Sequence, residues 1–134
     1  MISGKFAITL HIVTLLTKFP EEYLSSEFIA CSLNTNAVLV RKEIANLKKH
    51  NFVISKEGKS GGAMLAKPAT AITLDDIFKI THDTFSLGYC KNEPNAACPV
   101  GKDINTRLET LYADITGTVC NTLKDITIQE FAGQ

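Results

Sequence analysis

Residues 36–68 read NAVLVRKEIANLKKHNFVISKEGKSGGAMLAKP, and the reading of this stretch decides the fold. Asn36 is a residue type that caps helices. The spacing of Val40, Ile44 and Leu47 then predicts a helix over roughly 37–50, because at about 100° per residue these three share one narrow arc that faces a core. The opposite arc carries Val38, Lys42, Ala45 and Lys49, with Arg41 and Lys48 on one flank. Two lysines beside a small residue let another surface approach closely. Next, Phe52-Val53-Ile54 and Ala63-Met64-Leu65-Ala66 read as two short strands joined by a glycine-rich polar tip, 55–62, which is a β-hairpin closed by Pro68. The tip carries Lys56, Lys59 and Ser60.

Upstream, Ser3 is placed to cap a first helix over roughly 4–18, with Phe6, Ala7, Leu10, Ile12, Val13, Leu15 and Leu16 as its apolar residues. Phe19-Pro20 ends it, since a residue before proline resists the helical region. Ser25 caps a short second helix with Glu27 in its first turn, and 31–36 reads as a turn. The order helix, helix, helix, hairpin is that of a winged helix-turn-helix, with the third helix as the reading element and the hairpin as the wing.

Downstream, Thr73 caps a fourth helix over roughly 74–81, with Asp75 and Asp76 in its first turn. Residues 82–101 read as loop and contain Cys90, Pro94, Cys98 and Pro99. A long helix over roughly 103–124 follows from the recurrence of Ile104, Leu108, Leu111, Ile115, Val119 and Leu123 at intervals of three or four. A stripe this long at the end of a small domain reads as a dimerisation helix; packing within one chain is the alternative. Thr127 starts a last short helix through Phe131. The fold class is therefore mainly α with a small β-hairpin. Residues 1–70 form the winged helix-turn-helix, 71–101 a helix and sensor loop, and 102–134 the dimerisation helix and tail, all within one compact domain.

With 134 residues, 45% of them hydrophobic and 21% charged, the chain has ordinary globular composition and excludes a disordered or fibrous protein. No apolar run approaches the ~20 residues of a membrane span, and Phe6 to Leu16 is broken by Thr9, His11 and Thr14. Nothing marks secretion. The net charge is zero, yet residues 1–70 hold nine Lys/Arg against five Asp/Glu, while the remainder holds five against nine. A basic front half suits a polyanionic partner. The four cysteines, Cys31, Cys90, Cys98 and Cys120, are loosely spaced, which fits reduced thiols in a cytoplasmic chain better than a disulfide scaffold.

Lys5-Phe6-Ala7, the run Leu33 to Lys42, Gly58-Lys59-Ser60-Gly61-Gly62 with Leu65-Ala66-Lys67-Pro68, and Ile72-Thr73-Leu74-Asp75-Asp76-Ile77 together resemble the bacterial Rrf-two family of transcription regulators. That family includes the iron–sulfur cluster, nitric-oxide and cysteine-metabolism regulators. The resemblance covers nearly the whole chain and implies a homodimeric, sequence-specific regulator of double-stranded DNA, read as a repressor. Many members carry an iron–sulfur cluster on three closely spaced cysteines in the loop before the long helix. Here Cys90 and Cys98 lie in that loop, but Asp103, Ile104, Asn105 and Thr106 stand where a third cysteine would be. The expectation is no resident cofactor and no metal; Asp103 or a partner-subunit ligand keeps a cluster as the disfavoured alternative. Cys98-Pro99-Val100-Gly101 instead matches a branch that responds to oxidants through thiol chemistry. The start of the long helix favours a Cys98 thiolate, and Cys31, at the turn before the third helix, is placed where a new covalent bond could move that helix; Cys90 in the loop is a further redox-sensing candidate. A disulfide from Cys31 to Cys98 of the partner subunit is the specific form of that reading. Its alternative treats Cys31 and Cys120 as small buried hydrophobes.

For DNA, the expected contacts are Thr35, Asn36, Val38, Arg41 and Lys42 on the third helix and Lys59, Ser60 and Gly61 on the wing. The Asn36 side chain competes with its own capping role. Gly61 and Gly62 permit a tight turn and close approach to DNA. Ile104, Leu108, Leu111, Ile115 and Val119 form the expected dimer contact. Enzyme readings fare worse. Gly58-Lys59-Ser60 lacks the earlier glycine of a phosphate loop, since Val53 stands there. His11, His50 and His82 are isolated, and His11 reads as packing in an apolar helix. A thiol peroxidase built on Cys98 is the leading enzyme alternative. A protein-interaction winged helix without a DNA site, and a regulator with a small-molecule sensor in 82–101, are the other rivals.

Overall fold

The computed structural model describes residues 4–81 and 84–133. The elements run α1 (Lys5–Lys18), α2 (Ser26–Leu33), α3 (Ala37–Lys49), β1 (Val53–Lys56), β2 (Gly62–Leu65), a 3-10 turn (Ala69–Ala71), α4 (Leu74–Thr81), α5 (Pro99–Leu123) and α6 (Ile128–Phe131). This is the helical fold with one antiparallel hairpin that the sequence pattern predicts.

Helix α1 is the centre of the core. Ile12, Val13 and Leu16 are almost wholly buried, and α2, α3, α4, α6 and β2 all pack on α1. Val40, Ile44 and Leu47 bury the inner face of α3, as their spacing requires. Truncating Ile12 or Leu47 to Ala would cost about 2–5 kcal/mol, the usual cost of a cavity at a closed site. The caps are as read for three helices: Ser25 Oγ accepts from Phe28 N at 3.1 Å, Asn36 Oδ1 from Leu39 N at 2.9 Å, and Thr127 Oγ1 from Glu130 N at 3.1 Å. Helix α4 has a reciprocal cap. Asp76 N donates to Thr73 Oγ1 at 3.1 Å, and Thr73 N donates to Asp76 Oδ2 at 2.9 Å. Gly4 stands at the start of α1 without a side-chain cap, and the cap expected from Ser3 lies outside the described residues, as does His82.

Several boundaries differ from the sequence reading. Helix α2 continues through Leu33, so Cys31 lies in its last turn and not in the connection. The connection is only Asn34 to Asn36, with Asn34 left-handed at φ 55° and Thr35 N donating to Ala30 O at 3.0 Å. The strands reach Lys56 and begin at Gly62, with Val53 opposite Leu65 and Lys56 opposite Gly62, so the wing tip is shorter than expected. Helix α5 begins at Pro99, four residues early, because proline suits the first helical position. His11 is exposed rather than packed, and its Nε2 lies 2.9 Å from Ser32 Oγ.

The chain end closes the core. Ile128 is fully buried, its N–H donates to Ile72 O at 2.8 Å, and Leu74 N donates to Ile126 O at 2.9 Å. By contrast α5, about 37 Å long at 1.5 Å per residue, buries only Tyr112 among its 25 residues. Leu111 is 49% exposed, while Ile104, Leu108, Ile115 and Val119 are half-buried. Residues 85–89 pack on it: Phe85 N donates to Thr116 Oγ1 at 2.8 Å, and the Tyr89 and Tyr112 rings meet edge to face at 5.6 Å.

Candidate nucleic-acid interface

Burial of Val40, Ile44 and Leu47 fixes the rotation of α3 about its axis. Val38, Arg41, Lys42, Ala45, Lys48 and Lys49 are therefore held outward. Val38 is 71% exposed, an apolar side chain that the fold itself leaves uncovered. Thr35 is half-buried at the turn, and the Asn36 side-chain oxygen accepts the capping bond, so its side-chain NH2 is the group turned to other partners. Glu43 is the exception on this helix. It is 3% exposed and accepts a hydrogen bond from Thr9 Oγ1 at 3.3 Å. The sequence reading passed over it, although its place one residue before Ile44 puts it beside the core stripe.

The wing stands against α3 across a groove of about 540 Å³, lined among others by Ser25, Arg41, Ala45, Lys48, Lys56 and Lys59. Two contacts set its position. Leu24 and Ala63 exchange backbone hydrogen bonds at 2.9 Å in both directions, and Lys48 Nζ donates to Ser55 Oγ at 2.9 Å. A Cβ on Gly62 would lie 2.1 Å from Leu24 O, and one on Gly61 would lie 2.2 Å from Lys56 O. Both glycines are thus required by close approach of the chain's own backbone, a reason the sequence did not show.

The basic groups differ in their commitments. Arg41 Nη2 pairs with Glu27 Oε2 at 2.9 Å. Lys56 lies over the Tyr23 ring at 5.8 Å. Lys42, Lys49 and Lys59 are exposed and have no partner among the described residues. Ser60 is exposed at the wing tip and Gly61 half-buried beside it. The structure thus leaves Val38, Arg41 and Lys42 exposed on α3 and Lys59 and Ser60 exposed on the wing, while Glu27 and Ser55, the partners of Arg41 and Lys48, are residues that the sequence reading did not single out for this site.

The thiols lie elsewhere. Cys31, Cys90 and Cys98 are exposed and Cys120 is half-buried, so Cys31 is not a buried hydrophobe. Cys98 occupies the position before α5. It forms no capping hydrogen bond, yet the amides of Gly101 and then Val100 favour its thiolate and hold it below the ordinary thiol value. Gly101 sits so close to the preceding loop that a Cβ would lie 2.4 Å from Asn95 O. Burial, then the Asp75 carboxylate, push Cys120 the other way. Asp75 itself is raised by burial but brought below its ordinary value overall by Lys79, whose Nζ lies 2.8 Å from Asp75 Oδ2, and by Cys120.

Comparison with known proteins follows the same lines. A family model described as "Rrf2: Iron-dependent Transcriptional regulator" matches residues 2–134. The chain is 32% identical over 130 residues to YwnA of Bacillus subtilis (strain 168), a proposed HTH-type transcriptional regulator, covering 97% of this chain and 96% of that protein. It is 26% identical over 124 residues to the HTH-type transcriptional regulator NsrR of Bacillus licheniformis, covering 89% and 85%. The solved structure of CymR, the global cysteine regulator of B. subtilis, superposes with a TM-score of 0.71 at 25% identity, over 98% of this chain and 95% of that one.

The family description speaks of iron, but the donor set here does not fit an iron centre within one chain. Among the described residues, no three His, Cys, Asp or Glu side chains converge as ligands. No helix among them is long and apolar enough to cross a membrane. The match across nearly the whole chain and the shared fold make this a DNA-binding regulator rather than an enzyme, and the chain belongs to the Rrf2 (Rrf-two) family of transcriptional regulators.

Proposed function

We propose that this chain is a homodimeric, sequence-specific repressor of transcription that acts in the cytoplasm and is switched by oxidation of Cys98. The observation that carries the DNA part is the outward face of α3: Lys42 and Lys49, exposed and without a partner among the described residues, stand beside Arg41 and a wing that offers Lys59. Thr35, Asn36 and the N-terminal half of α3 as far as Lys42 enter the major groove, with Val38 against a base methyl. Lys59, Ser60 and the Gly61 backbone meet phosphate at the wing. Two copies pair through Ile104, Leu108, Leu111, Ile115 and Val119 of α5, which set two reading helices on a pseudo-palindromic operator. A dimer seated on a promoter blocks polymerase sterically.

The switch rests on the exposed Cys98 with its lowered pKa and the exposed Cys31 in the helix that precedes α3. A hydroperoxide is the oxidant. The Cys98 thiolate attacks its terminal oxygen, giving a sulfenic acid and releasing alcohol or water after protonation. The Cys31 thiol of the other copy then displaces water, forming the disulfide. Cys90, exposed in the same loop, is the alternative resolving thiol. The reading needs no resident cofactor.

Fluorescence anisotropy with a duplex from upstream of the chain's own gene tests it, on reduced protein before and after peroxide. Tight, salt-sensitive binding that is lost on oxidation and restored by reductant is expected. Binding indifferent to peroxide removes the thiol switch and leaves the DNA reading. No binding in either state removes the duplex chosen as operator.

A further inference from the structure

Among the described residues, Glu27–Arg41 is the ion pair on the side that carries α3 and the wing. Arg41 Nη2 lies 2.9 Å from Glu27 Oε2, with the two side chains 55% and 71% exposed. An ion pair so open to water contributes little to the fold. Glu27 also places a carboxylate, with that of Glu57, in a groove lined by Arg41, Lys48, Lys56 and Lys59, which weakens attraction to phosphate. The pair is therefore open to a use other than stability.

That use follows from the chemistry of arginine. Its guanidinium carries five N–H donors in a rigid fork. One bond to Glu27 leaves four donors, enough for the bidentate contact with the O6 and N7 of guanine. A long side chain loses rotamer freedom on binding, and a carboxylate that already holds it removes part of that loss. Lys42 and Lys59, which have no such partner among the described residues, are exposed point charges suited to phosphate. The carboxylate itself sits in the first turn of α2, an element whose position is set by the Ser25 cap and the Leu24–Ala63 bridge. The brace is thus anchored to the fold rather than to another mobile side chain.

We infer that Glu27 is a positioning residue for base readout: its carboxylate holds the Arg41 guanidinium in the orientation that reads a guanine. The inference rests on the DNA-binding reading and deepens it by assigning a specificity determinant.

The test begins with selection from a randomised duplex library by the wild-type protein. Affinities are then measured for the enriched duplex and for versions with each guanine replaced, using wild type, Arg41→Ala, Glu27→Ala and Glu27→Gln. Wild type should discriminate about tenfold to a hundredfold at one symmetric guanine, the range of a bidentate contact. Arg41→Ala should abolish that preference. Glu27→Ala should lower it severalfold while leaving affinity for unrelated duplexes equal or higher. Glu27→Gln, which keeps an acceptor oxygen, should retain more of it than Glu27→Ala. Circular dichroism melts separate lost readout from lost fold. Full discrimination in Glu27→Ala, or a uniform gain on every duplex, overturns the inference and makes Glu27 a simple acidic brake. A wild type that enriches no sequence overturns the DNA reading together with it, and the two failures are thereby distinct.

Discussion

Tyr112 donates its hydroxyl to the Gly88 carbonyl oxygen at 2.6 Å, so the one fully buried side chain of the long helix is also the anchor of the loop before it. The ring supplies apolar contact and the hydroxyl satisfies the Gly88 carbonyl. Removing only the hydroxyl, in Tyr112→Phe, should cost about 0.5–1.5 kcal/mol. Hydrogen exchange should rise at 85–89 while the core of α1 stays protected. Unchanged exchange in that loop would show that the ring alone holds it.

The two wing glycines with left-handed φ make opposite demands. Gly62 has a Cβ position 2.1 Å from Leu24 O, whereas Gly58, at φ 102°, has nothing within 4 Å. Gly58→Ala should cost about 1 kcal/mol, the strain of a side chain in that region. Gly62→Ala must also break the Leu24–Ala63 bridge and should cost several times more. Thermal melting of the two variants decides it, and equal melting temperatures would contradict the close approach.

Dimerisation through α5 predicts a clean separation of assembly from folding. Each Leu or Ile buried between two copies contributes about 1.5–3 kcal/mol, and a lysine there adds a desolvation cost. Leu111→Lys with Ile115→Lys should give monomers by analytical ultracentrifugation. The monomer should stay folded, because in a single chain Leu111 is 49% exposed and Ile115 is only half-buried. A wild type that sediments as a monomer, or a variant that still pairs, would rule out this surface.

Lys59 is expected to contact phosphate without reading sequence. Lys59→Ala should weaken binding to all duplexes alike and lower the salt slope by about 0.9 per lost contact. Titrations at several salt concentrations measure both. A change confined to one sequence would assign Lys59 to base readout instead.

Thiol reactivity should separate by pH. Cys98 is held below the ordinary thiol value by the Gly101 and Val100 amides, so its thiolate forms at lower pH. Cys120 is raised by burial and by Asp75, so it stays protonated to higher pH. Iodoacetamide labelling followed by mass spectrometry should show Cys98 modified first, with its rate rising at lower pH than that of Cys120. The reverse order would refute the assignment of Cys98 as the reactive thiol.

The periodicity at Val40, Ile44 and Leu47 and the glycine-rich tip were enough to specify the winged helix-turn-helix, because a local repeat of apolar residues records which face must be buried. Ser25, Asn36, Thr73 and Thr127 marked helix starts for a similar reason: a cap bonds to amides only two or three residues away. The stripe on α5 was legible as a surface needing cover, although a stripe does not name its cover. Only the tertiary structure decided that Glu27 meets Arg41, 14 positions along the chain, that Glu43 is buried against Thr9, and that Gly62 yields to Leu24. It also decided that Ile128 completes the core beneath α1. Those contacts join residues distant in sequence, where neither spacing nor residue type records which partner the fold will bring within reach.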